Sequence, residues 1–141
     1  MNLLKSLVLA STTIGLSLAA FAGSQQTPPP MPSLTTTVTN SEGESLVADS
    51  FSRTLYVFDM DQNQTTPMCT GDCAEIWPPY IVTADEAQGL MDPLGTITRT
   101  SGKMQLTYKG RPVYVYSLDR EVGDDKGDGI GNVWHYIEAG D

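Results

Sequence analysis

Three groups of side chains in this 141-residue chain could do chemistry. The only two cysteines are Cys69 and Cys73, in the segment CTGDC, and the sole histidine is His135. Carboxylates gather in a glycine-rich stretch, DREVGDDKGDGIGN, at residues 119–132. Thiol, imidazole and carboxylate groups are the usual metal ligands and catalytic groups, so the spacing within each group decides which chemistry it supports.

The spacing of Cys69 and Cys73 favours a disulfide across a tight loop, in which Gly71 lets the backbone turn sharply. Three alternatives remain open. A redox-active pair usually has one residue fewer between its cysteines, and a c-type haem needs a histidine directly after the second one. A copper site would draw on soft ligands, and its candidates are Met60, Met68, Cys69, Cys73 and His135.

The carboxylate groups do not match an EF-hand. If Asp124 is position 1, Lys126 falls at position 3 and His135 at position 12, where a bidentate glutamate is needed. The segment DMDQN from Asp59 has ligand spacing, but no glycine follows it at position 6. A looser calcium site stays open for either loop. The competing interpretation is a solvated turn whose aspartates bind nearby backbone amides.

The first 22 residues have the form of a secretory signal peptide. Lys5 supplies the positive charge, residues 7–19 are apolar, and Ala20-Phe21-Ala22 is an A-x-A cleavage site. Residues 23–40 are rich in Pro and Thr and predict a disordered tether. We therefore expect a periplasmic or secreted protein with no membrane span after cleavage. The formal net charge of −9 argues against binding to nucleic acid or anionic lipid.

The elements that must position these groups belong to an internal repeat. A motif of the form Y-x-aromatic-x-x-D occurs twice, 58 residues apart, at Tyr56, Phe58 and Asp61 and again at Tyr114, Tyr116 and Asp119. Trp77 precedes one shared Tyr-Ile pair and Trp134 precedes the other. Such self-similarity predicts two copies of one unit, at about residues 42–82 and 101–138. Together they predict a single domain over residues 41–141.

Short β-branched and aromatic runs predict strands at residues 46–48, 54–58, 104–108 and 112–116, with a last strand near Trp134. Residues 73–77 and 85–90 could form helical turns, and no long amphipathic helix is present. The predicted fold class is mainly β, a β-rich α+β domain with strand hairpins and short helical turns. Tyr56, Phe58 and Tyr114 are expected to lie in the core between the two copies.

Several segments together resemble a bacterial secreted-repeat family, described as predicted lipoproteins with a Y-x-[FWY]-x-x-D motif. The matching segments are LYVFDMD from Leu55, CTGDCAEIWPP from Cys69, QLTYKGRP from Gln105, and VYVYSLD from Val113. The resemblance implies an exported envelope protein without an established activity, so it supplies no catalytic residues. This chain departs from the lipoprotein pattern because Gly23, not cysteine, follows the leader.

The sequence contains no nucleophile elbow, histidine-rich metal signature or phosphate-binding glycine loop, which predicts that it is not an enzyme. We expect a binding module without a resident cofactor, whose partner is an envelope protein or a small molecule. Its expected contact surface comprises Trp77, Tyr80, Tyr108 and Trp134. The competing hypothesis is a periplasmic copper or redox accessory protein that works through Cys69 and Cys73.

Overall fold

The computed structural model describes residues 33–140, so the predicted signal peptide and most of the predicted tether lie outside the described residues. The strands are β1 (Thr35–Thr39), β2 (Ser45–Asp49), β3 (Tyr56–Phe58), β4 (Ile81–Val82), β5 (Leu94–Thr98), β6 (Met104–Tyr108), β7 (Arg111–Tyr114) and β8 (Trp134–Tyr136). The helices are α1 (Asp72–Ile76) and α2 (Ala84–Gln88), with 3-10 turns at Asp59–Asp61 and Ile130–Asn132. The predicted mainly β fold is confirmed.

The strands form two antiparallel sheets. β1 pairs with β2, and the larger sheet has the order β4-β6-β7-β3-β8, with β5 also paired to β6. At its centre β3 lies beside β7, and the two motif tyrosines face each other in register, Tyr56 opposite Tyr114. The central strands are covered on both faces, since Tyr56 and Val57 of β3 and Val113 and Tyr114 of β7 are all buried.

The two copies are related strand by strand. β1 and β5 lie 59 residues apart in the chain, and β2 and β6 are separated by the same interval. Each copy therefore opens with a hairpin and then supplies one central strand, β3 or β7. The predicted two-copy domain is confirmed at the level of the backbone.

Each copy completes the sheet of the other. Residues 78–82 of the first copy pair with β6 and β7, and β8 of the second copy pairs with β3. The acceptors lie at corresponding positions of the two copies: the amide of Tyr80 donates to Val113 O at 3.1 Å, and the amide of Ile137 donates to Leu55 O at 3.0 Å. Because the last strands are exchanged, neither copy has a complete sheet of its own.

Of the three clusters of buried side chains among the described residues, two lie against the central sheet. One is aliphatic and includes Val57, Leu106 and Val113. The other is aromatic and includes Tyr56 and Tyr114. Since neighbouring residues of one strand point to opposite faces, Tyr56 and Val57 enter different clusters. The central sheet thus separates an aliphatic layer from an aromatic one.

The predicted tether is wrong for its last residues. Thr35–Thr39 form β1, paired over five positions with β2, and Val38 is buried. Threonine and valine are β-branched and favour strands, which outweighs the proline-rich composition upstream. The folded domain therefore begins before residue 41. None of the helices within residues 33–140 has the length and apolar character that crossing a membrane requires.

Candidate functional site

The repeated motif forms a reciprocal clasp between the two copies. The Tyr56 hydroxyl donates to Asp119 Oδ2, and the Tyr114 hydroxyl donates to Asp61 Oδ2. Both donor–acceptor distances are 2.7 Å. Both tyrosines are fully buried. The tyrosine of each motif thus binds the aspartate of the other, and this exchange explains the spacing of the motif.

Each motif aspartate also holds the loop that follows it. Asp61 Oδ1 accepts from the amide of Met68 at 2.6 Å, and Asp119 Oδ1 accepts from the amide of Lys126 at 3.2 Å. Both amides lie seven residues after their aspartate. The two carboxylates therefore orient loops and tyrosines, as turn aspartates commonly do.

The electrostatics of the clasp keep the phenols neutral. Burial, followed by the hydrogen bond and charge of the facing carboxylate, raises the pKa of Tyr56 and of Tyr114 well above 10.0. Burial also raises the pKa of Asp119 above its usual 3.8, against the opposing hydrogen bond from Tyr56. Neither tyrosine can act as a phenolate base near neutral pH.

Above the tyrosines lies a stack of four aromatic rings. Trp77 and Trp134, equivalent in the two copies, stack with ring centroids 3.8 Å apart. Phe58 stacks on Trp134 at 4.2 Å, and Tyr116 stacks on Trp77 at 4.3 Å. The second aromatic residue of each motif therefore stacks on the tryptophan of the other copy.

This stack corrects the expected contact surface. The side chains of Trp77 and Trp134 are each only 4% exposed, so both belong to the core. Tyr80 and Tyr108 remain half-buried and reach solvent. The Tyr80 hydroxyl donates to Leu34 O at 2.8 Å, which ties it to the start of β1.

The cysteine pair is oxidised. Cys69 and Cys73 form a disulfide whose Cα atoms are 5.3 Å apart, and Cys69 is buried within the aromatic cluster. The Arg99 guanidinium donates to Cys69 O at 2.7 Å and anchors the loop. The predicted disulfide is confirmed. Disulfide sulfurs lack the thiolate charge on which a cysteine–copper site depends.

The other copper candidates are dispersed. Met60 and Met68 are each more than half exposed. His135 Nε2 lies 3.1 Å from Asp59 Oδ2, and Arg111 Nη2 donates to Asp59 Oδ1 at 2.9 Å. Within residues 33–140, no three side chains of the His, Cys, Asp and Glu types are placed to hold a metal ion together.

The carboxylates of Asp124 and Asp128, within residues 119–132, accept hydrogen bonds from nearby backbone amides and from one lysine. Asp124 accepts from the Lys126 ammonium at 2.7 Å and from the amides of Arg120 and Glu121, which lower its pKa to about 2. Asp128 accepts from the amide of Tyr136. These contacts match the interpretation as solvated turns, whose aspartates are occupied by amides and one lysine.

A cavity of about 530 Å³ lies between residues 33–37, where β1 begins, and residues 86–94, which join the two copies. Its apolar wall includes Val47, Leu90 and Leu94, and its polar part includes Glu86 and Asp92. The sequence reasoning missed this site. One local signal was available: Thr83 and Glu86 form the capping box that starts α2 beside the cavity.

The comparisons with known proteins agree with the internal repeat. The sequence profile of one family, described as a secreted repeat of unknown function, matches residues 36–80 and again residues 95–138. The first match begins in β1 and ends just before β4, and the second begins in β5 and ends just after β8. No curated protein and no solved structure matches the chain. The two matches cover well over half of the sequence, and the chain therefore belongs to the Lipoprotein_15 family of secreted repeats of unknown function.

Proposed function

We propose that this protein is an exported, non-enzymatic binding module of the periplasm or extracellular space, and that its site is the cavity between β1 and residues 86–94. The observation that carries the proposal is the cavity itself, about 530 Å³ in volume. Pockets that hold small molecules or inserted side chains commonly measure about 300–1,000 Å³.

The lining favours an apolar group with a polar attachment. Leu34, Val47, Leu90 and Leu94 contribute aliphatic surface, while Thr35 and Glu86 offer hydrogen-bonding groups at the cavity. Leu34 and Val47 also belong to the buried aliphatic cluster, which makes this wall rigid. A rigid apolar wall with a few polar groups is the usual composition of a binding site.

The cavity is open to solvent beside β1. Thr36 and Val38 lie on one face of the strand, yet Thr36 is exposed while Val38 is buried. The strand is therefore uncovered at Thr36, which lines the cavity. An apolar group of a partner could bury this surface.

The buried polar groups are hydrogen-bonded within the fold, which supports a scaffold role and not a catalytic one for these residues. Asp61 and Asp119 are held by tyrosine hydroxyls and backbone amides. Both cysteines are joined in the disulfide. Groups fixed in this way stabilise the fold and are not free to exchange protons with a substrate.

The test is the binding of Nile red, a neutral apolar dye, to the mature chain. Thr36→Trp places an indole at the cavity, and we expect it to weaken dye binding at least tenfold. Thr96→Trp is the matched control, because Thr96 is also an exposed threonine on the outer strand of a hairpin but does not line the cavity. Equal dye affinity of the two variants, with unchanged melting temperatures, refutes the proposed site.

A further inference from the structure

β1 has an unpaired backbone edge. The amide of Asn40 donates to Glu44 O, so these two residues form a hydrogen-bonded pair of the β1–β2 ladder. In an antiparallel ladder such pairs alternate, which makes Thr36 and Val38 hydrogen-bonded positions and turns the N–H and C=O groups of Thr35 and Thr37 away from β2. Thr35 O accepts from Ser33 Oγ at 2.7 Å.

Where this edge borders the cavity, three groups of the described chain remain without a hydrogen bond, namely the amides of Thr35 and Thr37 and the carbonyl of Thr37. β1 carries no Lys, Pro or bulge, the devices that usually protect an exposed edge. An edge of this kind is a template for pairing with another extended chain.

The same edge borders the cavity. Residues 33–37 form one wall, and residues 89–94 form part of the opposite wall. A strand laid along β1 would therefore have apolar surface from Leu90 and Leu94 within reach of its side chains. The equivalent edge of the other copy, β5, contributes only Leu94 to this cavity.

The charged side chains that line the cavity are acidic. Its lining contains Glu86 and Asp92, and none of the lining residues in the described part is Lys or Arg. The whole chain carries a formal net charge of −9. A basic ligand is complementary to both the site and the chain, and an acidic one is repelled by both.

We infer that the ligand of this cavity is an extended, basic peptide segment of a partner protein, which adds as a strand to the free edge of β1. The inference rests on the proposed function, since it names the class of ligand for the same site. Backbone hydrogen bonds to Thr35 and Thr37 fix the direction of the peptide, apolar side chains enter the cavity, and basic side chains meet Glu86 and Asp92.

The experiment titrates the mature chain with a capped pentapeptide of alternating lysine and valine. Thr37→Pro removes the outward amide of β1 without removing a bond to β2, because proline is tolerated at such edge positions. We expect it to weaken peptide binding about tenfold. Thr96→Pro, at the equivalent position of β5, is the matched control and should bind within twofold of the unaltered protein. Replacing the lysines of the peptide by glutamate should also weaken binding at least tenfold.

A second variant guards against a folding defect in Thr37→Pro. Asp92→Asn keeps the shape of the site, and it should weaken the lysine peptide and reduce the salt dependence of its binding. Three results would overturn the inference while leaving the proposed function intact: Nile red binds but no peptide does, the lysine and glutamate peptides bind equally, or Thr37→Pro has no effect. Dimerisation that Thr37→Pro abolishes, without peptide binding, would assign the edge to a second copy. If neither dye nor peptide binds, both proposals fail.

Discussion

Removal of the Tyr114 hydroxyl tests whether the reciprocal clasp holds the two copies together. Tyr114 is fully buried and its hydroxyl donates to Asp61, which is only 4% exposed. In Tyr114→Phe the ring remains and can keep its edge contact with Trp134. The substitution therefore removes the hydrogen bond to a buried carboxylate, together with the lesser interactions of the hydroxyl with Gln105 and Arg99.

The expected loss of unfolding free energy depends on the hydrogen bonds that remain to Asp61 after the substitution. A hydrogen bond to a charged group contributes about 1.5–3 kcal/mol, and a buried carboxylate that loses its partner retains the cost of its burial. After the change, Asp61 keeps the amide of Met68 and gains no water, because it is buried. We expect a loss of about 3 kcal/mol. For a domain of this size, that lowers the melting temperature by roughly 12 °C or more.

The other copy supplies an internal comparison. Tyr56→Phe removes the equivalent bond to Asp119 and a long bond, 3.3 Å, that the hydroxyl accepts from the Gly127 amide, but Asp119 is partly exposed and water can replace the hydroxyl there. We expect a smaller loss, about 1.5–2 kcal/mol.

Urea unfolding at pH 7 measures both losses. Tyr116→Phe is the control, because it leaves phenylalanine where the first copy already has Phe58, and it should change stability by less than about 0.5 kcal/mol. A Tyr114→Phe protein as stable as the control, or less affected than Tyr56→Phe, would refute the reasoning.

Three further predictions concern the same core. Replacing Cys69 and Cys73 together by Ser should cost about 2 kcal/mol by the chain-entropy estimate, and an unchanged melting temperature would contradict the structural role. Gly127→Ala should cost about 1–3 kcal/mol in the same urea unfolding assay, because the added Cβ would lie 2.7 Å from Trp77 Cη2. Since the folded-state pKa values of Tyr56 and Tyr114 are raised above 10.0, their contribution is intact below that pH and is lost as the pH rises above it. Urea unfolding above about pH 10 should show this decline, with a shallower slope for Tyr114→Phe.

The repeat could be read from the sequence because its two copies keep the same residues at nearly constant separation. That pattern predicted the number of copies, the central strands and the burial of Tyr56 and Tyr114. It could not predict the exchange of the last strands. Self-similarity shows that residues 78–82 and 134–138 are equivalent, but each could pair within its own copy or with the other. The spatial arrangement of both hairpins decides between them.

Two residues of the expected contact surface, Trp77 and Trp134, are buried, and the sequence could not show this for a related reason. Trp77 and Trp134 each come from a short segment that contains prolines, charges or exposed residues, so neither segment has a buried pattern of its own. Their burial depends on stacking against each other across the two copies. A contact between residues 57 positions apart leaves no local periodicity, whereas the disulfide of Cys69 and Cys73 was predictable because both cysteines lie within one turn.

The relation between the copies also indicates where function resides. The paired features of the two copies, the clasp and the aromatic stack, are repeated and build the scaffold. The cavity is not repeated, because residues 83–93 occur once, between the copies, and Thr36 of β1 corresponds to Gly95 of β5. Likewise Tyr108, which lines the cavity, corresponds to Asp49 in the first copy. A scaffold requires both copies to keep the same contacts, but a binding site requires only one surface. The departures from symmetry around β1 therefore support the proposal that this cavity is a binding site.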